Sequence, residues 1–500
     1  MQPTEIVLDG CSLSLETIEA IASRAQVGLA PAALVEVAHA AAAMVLAAER
    51  GPVYGRTTGV GANADQSIRE VPDASGRALL RSHAAGWGPV LSPREVRAAL
   101  GVRANQLLAG RSGASPDLAR ALAELASGEA GRLPIVRARG SLGTGDLTAL
   151  AEVGLALAGE RPRLDGTTVA DPRLLDRDAL PLMSGNAFTV ASAALGCRDL
   201  LRLSRAAMVV AALSHAALAG SLEALGPVVE VVTPFPGAVK VARVVRGLVE
   251  PLAVPPSHLQ DFFGLRTFPQ VHGPLIERLD DLRRVIETLA NTGSENPAVV
   301  RAEPPVMAHH GGFHTAYLTL AIDTALLALV GSAQSGASRI AHLLTDPTRG
   351  LPRFLAAGPP GSSGLLIVEY GAASALALLR EAASAPWSLQ TASVSAGIED
   401  HASYAGAAAA RLPDVVAAYR HLLGLELLTA VRAAQVRQLR AAGPLGEVLQ
   451  DCSVLLQASP DGLAGPGDQA DQADQGDRDL APVIDAAVAL VDGLTAHVSD

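Results

Sequence analysis

Apolar residues recur three and four positions apart along much of the second half of the chain, with charged residues grouped on the opposite side. This spacing is typical of amphipathic α-helices. Several of these segments run longer than an ordinary globular helix, which favours a bundle of long helices. The segments are residues 198–225, 274–296, 313–345, 364–384 and 403–440. The pattern therefore predicts a mainly α fold with a long central helical bundle.

The N-terminal part, residues 1–197, has a different pattern, in which short helical stretches alternate with glycine-rich loops. The densest loops are residues 53–63, 139–146 and 181–187. Loops carry binding and catalytic residues more often than packed elements do. We therefore expect the active-site loops in this part of the chain.

Domain boundaries can be placed where the pattern changes. We predict a loop-rich N-terminal part (1–197), a central long-helix bundle (198–457), a mobile acidic loop (458–479) and a C-terminal helix (480–500). The loop is inferred from a run of Asp, Gln and Gly that includes QADQADQ, because such composition cannot form a packed core. The four segments are expected to form a single integrated fold.

Composition narrows the classes of function. The chain is 49% hydrophobic and 3% aromatic, a balance that favours packed helices over sheets. The net charge of −11 argues against a nucleic-acid partner, because such surfaces are basic. The apolar stretch 206–218 is shorter than the ~20 residues that span a bilayer, so we expect a buried helix and no membrane partner. Three widely spaced cysteines and no signal-peptide pattern indicate a cytoplasmic protein.

Eight sequence blocks resemble the histidine and phenylalanine ammonia-lyase family, and they occur in the family's order over about 350 residues. The blocks are YGRTTGVG at 54–61, RSHAAGWG at 81–88, RANQLLAGRSG at 103–113, GSLGTGDLTALA at 140–151, QDFFGLRTFPQVHG at 260–273, ENP at 295–297, GGFH at 311–314 and EDHASY at 399–404. The resemblance implies a mainly helical subunit and a homotetramer whose active sites take loops from more than one subunit. It also implies a lyase that eliminates an amine from an aromatic α-amino acid.

The family's electrophile is a methylidene-imidazolone, which forms from an internal Ala-Ser-Gly by cyclisation and loss of two waters. The corresponding block of this chain is one residue short. Aligned from its left end it lacks the serine, and aligned from its right end the triad becomes Gly143-Thr144-Gly145. Dehydration of Thr144 would leave a methyl group on the electrophilic carbon and hinder attack. We therefore expect no cofactor, while a group formed from these three residues stays an alternative.

The resemblance assigns catalytic roles to two residues. Tyr54 matches the tyrosine that removes the β-proton, although a phenol with a reference pKa of about 10 needs local help to act as a base near pH 7. Glu399 matches the acidic residue near the substrate amine and ring in histidine-type members. The alternative for Glu399 is a helix-start carboxylate favoured by the helix dipole.

Three further residues match substrate-binding positions. His83 matches the position that contacts the substrate ring in histidine-type enzymes. Arg266 matches the arginine that binds the substrate carboxylate, a role that suits the planar guanidinium because it can form two parallel hydrogen bonds. Gln260 matches an amide that lines the same pocket. With Glu399, His83 favours a substrate with a polar ring.

Three positions depart from the family's pattern. Phe263 replaces a pocket tyrosine, Ser184 replaces an asparagine (with Asn186 close by), and Gly312 replaces the asparagine before Phe313. Each replacement removes a polar group near the prosthetic group, in agreement with the altered triad.

Four histidines at 309, 310, 314 and 401 resemble a metal cluster only superficially, because no carboxylate or cysteine accompanies them at ligand spacing. We expect no metal.

Three functions remain open after the sequence. The first is elimination of an amine from a histidine-like or other aromatic α-amino acid. The second is elimination from a betaine, as in ergothionase-type relatives, where a quaternary amine leaves without activation; Glu399, Phe263, Phe313 and Trp87 are the residues proposed to hold such a cation. The third is a catalytically dead homologue, against which Tyr54 and Arg266 argue.

Overall fold

The computed structural model describes residues 5–68, 75–252, 255–300, 306–439, 442–457 and 479–498. The predicted acidic loop, 458–479, lies outside the described residues except for its last position. Over the described ranges the chain is mainly α-helical, as predicted.

The described residues contain the following helices and strands in chain order. They are β1 (Glu5–Leu8), α1 (Leu15–Ala22), β2 (Gln26–Leu29), α2 (Pro31–Arg50), α3 (Ser75–His83), β3 (Trp87–Val90), α4 (Pro93–Leu108), α5 (Pro116–Ser127), β4 (Arg137–Arg139), α6 (Leu147–Leu157), α7 (Ala179–Met183), α8 (Ala187–Ala217), α9 (Val228–Val232), α10 (Pro236–Val249), α11 (Phe263–Arg266), α12 (Phe268–Ala290), β5 (Ala298–Val300), β6 (Val306–Ala308), α13 (Ala316–Thr345), α14 (Ile367–Ser384), α15 (Ala405–Ala410), α16 (Leu412–Val436), α17 (Gly443–Asp451), α18 (Ser453–Gln457) and α19 (Ala481–Leu490). The strands form three two-stranded sheets, with β1–β2 parallel and β3–β4 and β5–β6 antiparallel.

The chain divides into two compact units, each made of three segments. The first unit consists of Met1–Arg198, Asp281–Asp323 and Pro386–Leu412. The second consists of Asp199–Asp280, Thr324–Ala385 and Pro413–Asp500.

Local sequence signals explain where the core helices of the first unit begin. The Ser92 hydroxyl accepts a hydrogen bond from the backbone N–H of Glu95, and the Glu95 carboxylate accepts one from the backbone N–H of Ser92. Helix α4 therefore starts with a capping box followed by Pro93. Ser115 caps α5 in the same position before Pro116. A cap of this kind stabilises a helix by about 1 kcal/mol. Every residue of α4 from Val96 onward is buried, and the helix packs against α1 and α5.

The apolar stretch 206–218 is buried at every position, which confirms the expected buried helix. By length and composition alone, three helical segments of the described chain could cross a membrane: Pro31–Arg50, Asp176–Ala217 and Ala316–Thr345. In the second of these, 83% of the most apolar window is already buried within the protein.

Candidate active site

The loop after α2 holds Tyr54 in a defined position. Its hydroxyl accepts a hydrogen bond from the backbone N–H of Gly61 at 2.7 Å, so the loop closes over seven residues. Gly55 and Gly61 have φ angles of +66° and +56°, a left-handed region that glycine adopts at little cost. A Cβ at Gly55 would meet the Leu180 side chain, which would have to move.

A second segment, residues 394–399, lies against the Tyr54 loop. The Ser395 hydroxyl accepts from the backbone N–H of Ala62 at 2.9 Å. A Cβ at Gly61 would lie 2.4 Å from Ser395 Oγ and 3.6 Å from Glu399 Oε1. The predicted base and the predicted acidic residue are therefore brought together.

The surroundings of Tyr54 determine its protonation. Burial raises the pKa of the phenol above its ordinary value of 10, and the charge of Glu399 raises it further. The hydrogen bond from Gly61 acts in the opposite direction, because it stabilises the phenolate. The Gly61 N–H supplies hydrogen-bonding help of the kind that the sequence led us to expect, but it does not outweigh burial and the charge of Glu399, so the pKa of Tyr54 stays raised.

A cavity of about 1010 Å³ in the first unit is lined by Tyr54, His83 and Ser184. His83 ends α3, and its Nδ1 lies 2.9 Å from the carbonyl oxygen of Leu79, one turn earlier. A neutral imidazole that donates from Nδ1 to this carbonyl keeps Nε2 as an acceptor. Three residues predicted from separate blocks thus face one space.

A buried ion pair supports one wall of this cavity. Arg103 on α4 lies 2.8 Å from Glu295, and both side chains are almost fully buried. The guanidinium also donates to the backbone carbonyls of Leu182, at 3.1 Å, and of Pro181. Arg103 therefore ties α7, just before Ser184, to the segment that carries Glu295, and both segments line the cavity.

Asn186 does not take the place of the missing family asparagine. It is buried, and its Oδ1 accepts from Gln106 Nε2 at 2.8 Å. Among the described residues, its Nδ2 has no hydrogen-bond partner. The side chain belongs to the interior network beside Arg103, and Ser184 is the residue that lines the cavity.

The glycine-rich loop before α6 is held through Gly143. Its carbonyl oxygen accepts from Thr315 Oγ1 at 2.9 Å, from Ser403 Oγ at 3.0 Å and from the backbone N–H of Thr315 at 3.2 Å. A Cβ at this position would lie 2.0 Å from Ser403 Oγ. Asp146 stands at the N-cap position of α6, but its carboxylate accepts from the backbone N–H and the hydroxyl of Thr189 in the first turn of α8 rather than from the N–H groups of α6.

The histidines near Phe313 form two separate contacts. His310 Nε2 lies 2.6 Å from the carbonyl oxygen of Glu295, and its ring is 6.3 Å from that of Phe313. His314 Nε2 lies 3.0 Å from His401 Nδ1, and burial lowers the pKa of His314, as does His401. Within the described residues, no group of three His, Cys, Asp or Glu side chains could hold a metal ion.

The carboxylate-binding candidates lie in the second unit and contact one another. Arg266 Nη1 donates to Gln260 Oε1 at 2.8 Å, and its guanidinium lies 4.9 Å from the ring centre of Phe263. The Phe263 side chain is 67% exposed. These three residues form a cluster on α11 and the loop that precedes it.

Buried charges that the sequence reasoning missed fix this segment. Arg339 on α13 donates to the carbonyl of Gly264 at 3.0 Å and pairs with Glu426 on α16. Arg349 pairs with Asp261 at 3.1 Å. Asp261 stands in the QDFFGLR block, but Arg339 and Glu426 carry no motif that would single them out.

The sequence profile of aromatic amino acid lyases matches residues 13–453 of this chain. The chain belongs to the aromatic amino acid lyase family. It is 32% identical to a histidine ammonia-lyase of Streptomyces coelicolor over 474 residues, which cover 89% of this chain and 88% of the relative. A histidine ammonia-lyase of Streptomyces griseus is also 32% identical, over 97% of this chain and 96% of the relative.

Solved structures agree with this assignment. A histidine ammonia-lyase from Trypanosoma cruzi is 25% identical with a TM-score of 0.85, covering 99% of this chain and 96% of that one. An ergothionase from Treponema denticola is 25% identical with a TM-score of 0.84, covering 98% and 99%. As a member of the aromatic amino acid lyases, the chain is a carbon–nitrogen lyase.

The triad of this aromatic amino acid lyase does not fit the methylidene-imidazolone. Cyclisation would remove the carbonyl oxygen of the first triad residue, yet the Gly143 oxygen accepts three hydrogen bonds whose donors would lose their acceptor. The alanine that starts the family's triad is also excluded, because its Cβ would collide with Ser403. The loop is built as an ordinary glycine turn that ends at Asp146.

Proposed function

We propose that this lyase eliminates an amine from an α-amino acid or betaine with a polar or heteroaromatic ring and releases an acrylate. The observation that carries the proposal is the cavity lined by Tyr54, His83 and Ser184, with Glu399 close enough to Tyr54 for its charge to raise the pKa of the phenol. A base, a ring-binding imidazole and a carboxylate are the groups that β-proton removal from a substrate with a polar ring requires.

Tyr54 acts as the base in this proposal. Its phenolate removes a proton from Cβ, the electron pair of that C–H bond becomes the Cα–Cβ double bond, and the Cα–N pair leaves with the amine. The Gly61 N–H stabilises the phenolate that reacts. Because burial and Glu399 keep the pKa of Tyr54 raised, only a small fraction is ionised near neutral pH.

Arg266 binds the substrate carboxylate in this proposal. Its Nη1 is already oriented by Gln260, and a guanidinium offers further N–H donors in the same plane. Phe263, under the guanidinium, restricts the orientations open to it. The side chain is therefore prepared for a planar carboxylate.

Because the triad at Gly143 does not fit the family's electrophile, we expect the enzyme to favour a substrate with a better leaving group than ammonia. Without the family's electrophile, an ammonium would have to leave unaided, whereas a quaternary amine departs as a neutral molecule. Glu399 supplies the negative charge such a cation needs. Trp87, which the sequence suggested as a further contact, is a weaker candidate because Arg139 lies 4.9 Å over its ring.

Two measurements test the proposal. Side-by-side assays of L-histidine, L-phenylalanine, L-tyrosine and their N-trimethyl betaines, followed by the absorbance of the acrylate, should show turnover of a substrate with a polar ring and a preference for its betaine. An intact mass of the purified chain should equal the sequence mass. A mass two waters lighter, with fast release of ammonia from a plain amino acid, would restore the ordinary ammonia-lyase mechanism.

We further propose that the protein works in the cytoplasm. The support is chemical: the thiols of Cys11, Cys197 and Cys452 are not joined in disulfides, as expected in a reducing compartment. Fractionation of the native cells should place the enzyme with soluble cytoplasmic markers; recovery with secreted protein would contradict this.

A further inference from the structure

Among the described residues, both acidic and basic side chains line the cavity beside Tyr54. Two acidic residues, Asp176 and Glu295, and two arginines, Arg56 and Arg177, contribute to its wall. The two carboxylates already interact with groups other than these arginines.

The Asp176 carboxylate accepts hydrogen bonds from the start of α3. Its two oxygens accept from the backbone N–H groups of Gly76, at 2.8 Å, and Arg77, at 3.0 Å. These N–H groups belong to the first turn of a helix, where a carboxylate is favoured by both hydrogen bonds and the helix dipole. Glu295 forms a buried ion pair with Arg103 at 2.8 Å, although neither of its oxygens has a partner in hydrogen-bond geometry among the described residues. Both acids therefore already face donors or a positive charge outside the arginines of the cavity.

Arg56 is half-buried, and among the described residues its guanidinium group has few hydrogen-bond acceptors. A guanidinium carries five N–H donors, and the one hydrogen bond found for Arg56 among the described residues is a long contact of 3.5 Å from Nη2 to the carbonyl of Gly113. In the described part of the chain no carboxylate lies within 4 Å of it. Burial lowers the pKa of Arg56, as does the like charge of Arg177, while the charge of Asp178 acts in the opposite direction. Asp178 is itself engaged, because its two oxygens accept from the backbone N–H and the hydroxyl of Ser115.

We propose that Arg56 and Arg177 form an anion subsite in this cavity, and that the substrate carries a second anionic group at the end remote from the leaving amine. The inference rests on the proposed function, since it assumes that the cavity beside Tyr54 and His83 holds the substrate side chain. A carboxylate, sulfonate or phosphate between the two guanidinium groups would relieve their repulsion and supply the acceptors that Arg56 lacks.

The test compares two acrylates that differ at the remote end alone. Binding of cinnamate and of 4-carboxycinnamate to the full-length protein is measured by titration calorimetry, with inorganic phosphate as a third ligand. The dianion should bind about ten- to a hundredfold more tightly than cinnamate, the range of charge-assisted hydrogen bonds to a partly desolvated group. Phosphate should bind more weakly than the dianion.

Variants test whether Arg56 is responsible for the preference for the dianion. Arg56→Gln should abolish the preference for the dianion while cinnamate binding stays within about twofold, and Arg56→Lys should restore part of it. Arg120→Gln, which removes an exposed arginine paired with Asp117, serves as the matched control and should behave like the parent protein. Equal binding of both acrylates by the parent and Arg56→Gln would overturn the subsite and leave the proposed function standing.

Two other outcomes would overturn the assignment of the arginines to the substrate. Phosphate binding as tight as that of the dianion, and equally sensitive to Arg56→Gln, would assign the arginines to a free anion and overturn the assignment to the substrate. Failure of both acrylates to bind would contradict the proposed function and this inference with it.

Discussion

At the scale of single residues, the hydroxyl of Tyr54 is the group on which the proposed chemistry depends. Among the described residues, Tyr54 accepts one N–H from Gly61, lies near the charge of Glu399, and has the ring of His309 with its centre 6.2 Å away. Because burial and Glu399 both oppose ionisation, the reactive phenolate is scarce but strongly basic.

Tyr54→Phe should therefore remove the base without disturbing the fold. We expect kcat to fall by about 10²- to 10⁴-fold, the usual contribution of a positioned base. In the parent enzyme kcat/KM should rise with pH up to the raised pKa of Tyr54, above 10, and this rise should disappear in the variant. Tyr317→Phe, at a position 81% exposed, is the control. A variant that retains the parental rate and pH profile would show that another residue is the base.

Arg266→Lys should weaken the interaction with the substrate carboxylate. Lysine cannot form the two parallel hydrogen bonds of a guanidinium, nor the planar contact with Gln260, so kcat/KM should fall about ten- to a hundredfold. Steady-state kinetics of the preferred substrate measure the change. Arg243→Lys, at an exposed ion pair with Glu230, should leave the kinetics unaltered; the same result for Arg266→Lys would mean that the carboxylate binds elsewhere.

Motifs made most of these residues visible in the sequence. Tyr54, His83 and Arg266 stand in blocks whose letters identify them, and the structure places Tyr54 and His83 on one cavity. Ser395 and Arg56 could not be found in this way. Ser395 acts through a single hydroxyl on the Ala62 N–H, and Arg56 matters because of the charges around it; neither property leaves a periodic signal.

At the scale of elements, the sequence pattern predicted which segments are helical better than it predicted the residues at which the helices begin and end. The pattern over 364–384 corresponds to α14 (Ile367–Ser384), and 313–345 to α13 (Ala316–Thr345). The segment 403–440 is two helices, α15 and α16, because Pro413 suits the first turn of a new helix better than the interior of an old one. The predicted helix at 198–225 starts earlier, at Ala187, where Asp146 satisfies the first turn of α8 through Thr189.

The buried pair between α13 and α16 should be the principal electrostatic support of the α11 segment. Arg339 and Glu426 are at most 1% exposed, and Arg339 also donates to Gly264, two residues before Arg266. Glu426→Gln would leave a buried guanidinium without its counter-charge, a loss of about 3–5 kcal/mol. We expect a lower melting temperature and a raised KM for the carboxylate substrate.

A surface pair provides the control for this variant. Glu230→Gln breaks the exposed contact with Arg243 and should cost at most about 1 kcal/mol, with KM unchanged. If Glu426→Gln melts no lower than Glu230→Gln, the buried pair does not stabilise the protein. A lower melting temperature with an unaltered KM would show that the Arg339–Glu426 pair stabilises the protein but does not position the α11 segment for substrate binding.

At the scale of the whole molecule, we propose that the active enzyme is a homotetramer, as the family resemblance implies. Its α14 supports this, because it exposes Ile367, Tyr370 and Leu378 to 52%, 66% and 57%, and exposed apolar clusters often mark interfaces. Light scattering at micromolar concentration should give about four times the 51.0 kDa of one chain.

A charge placed on that helix tests the assembly. Tyr370→Asp should lower the measured mass and the activity together, since the family's sites draw loops from several subunits. Lys240→Asp, at an exposed position of α10, should leave the tetramer intact. A parent protein that scatters as a monomer yet is fully active would contradict the assembly.

The stability of the whole protein should depend on pH through His272, which is completely buried on α12. Its Nδ1 lies 2.7 Å from Ser332 Oγ and its Nε2 lies 2.9 Å from the Ser204 carbonyl. A neutral imidazole satisfies both, by accepting from the serine and donating to the carbonyl. Burial lowers the pKa of His272 from 6.5 to about 4, and Arg339 contributes in the same direction.

The sign of the effect follows from which state binds the proton. Between pH 6.5 and 4 the unfolded chain is protonated at this histidine while the folded protein is not, so stability falls as the pH falls. The loss approaches about 3 kcal/mol near pH 4, and it stops growing below that value because both states are then protonated. Above pH 6.5 the histidine contributes no pH dependence.

His272→Gln isolates this contribution, because glutamine also offers an acceptor and a donor but does not titrate. Melting temperatures of the parent and of the variant are measured at intervals from pH 7.5 to 4. The parent should lose more stability than the variant between pH 6.5 and 4, whereas His39→Gln, at an exposed position of α2, should follow the parent. Parallel curves for the parent and His272→Gln would show that the buried imidazole is not the group that makes the fold sensitive to acid.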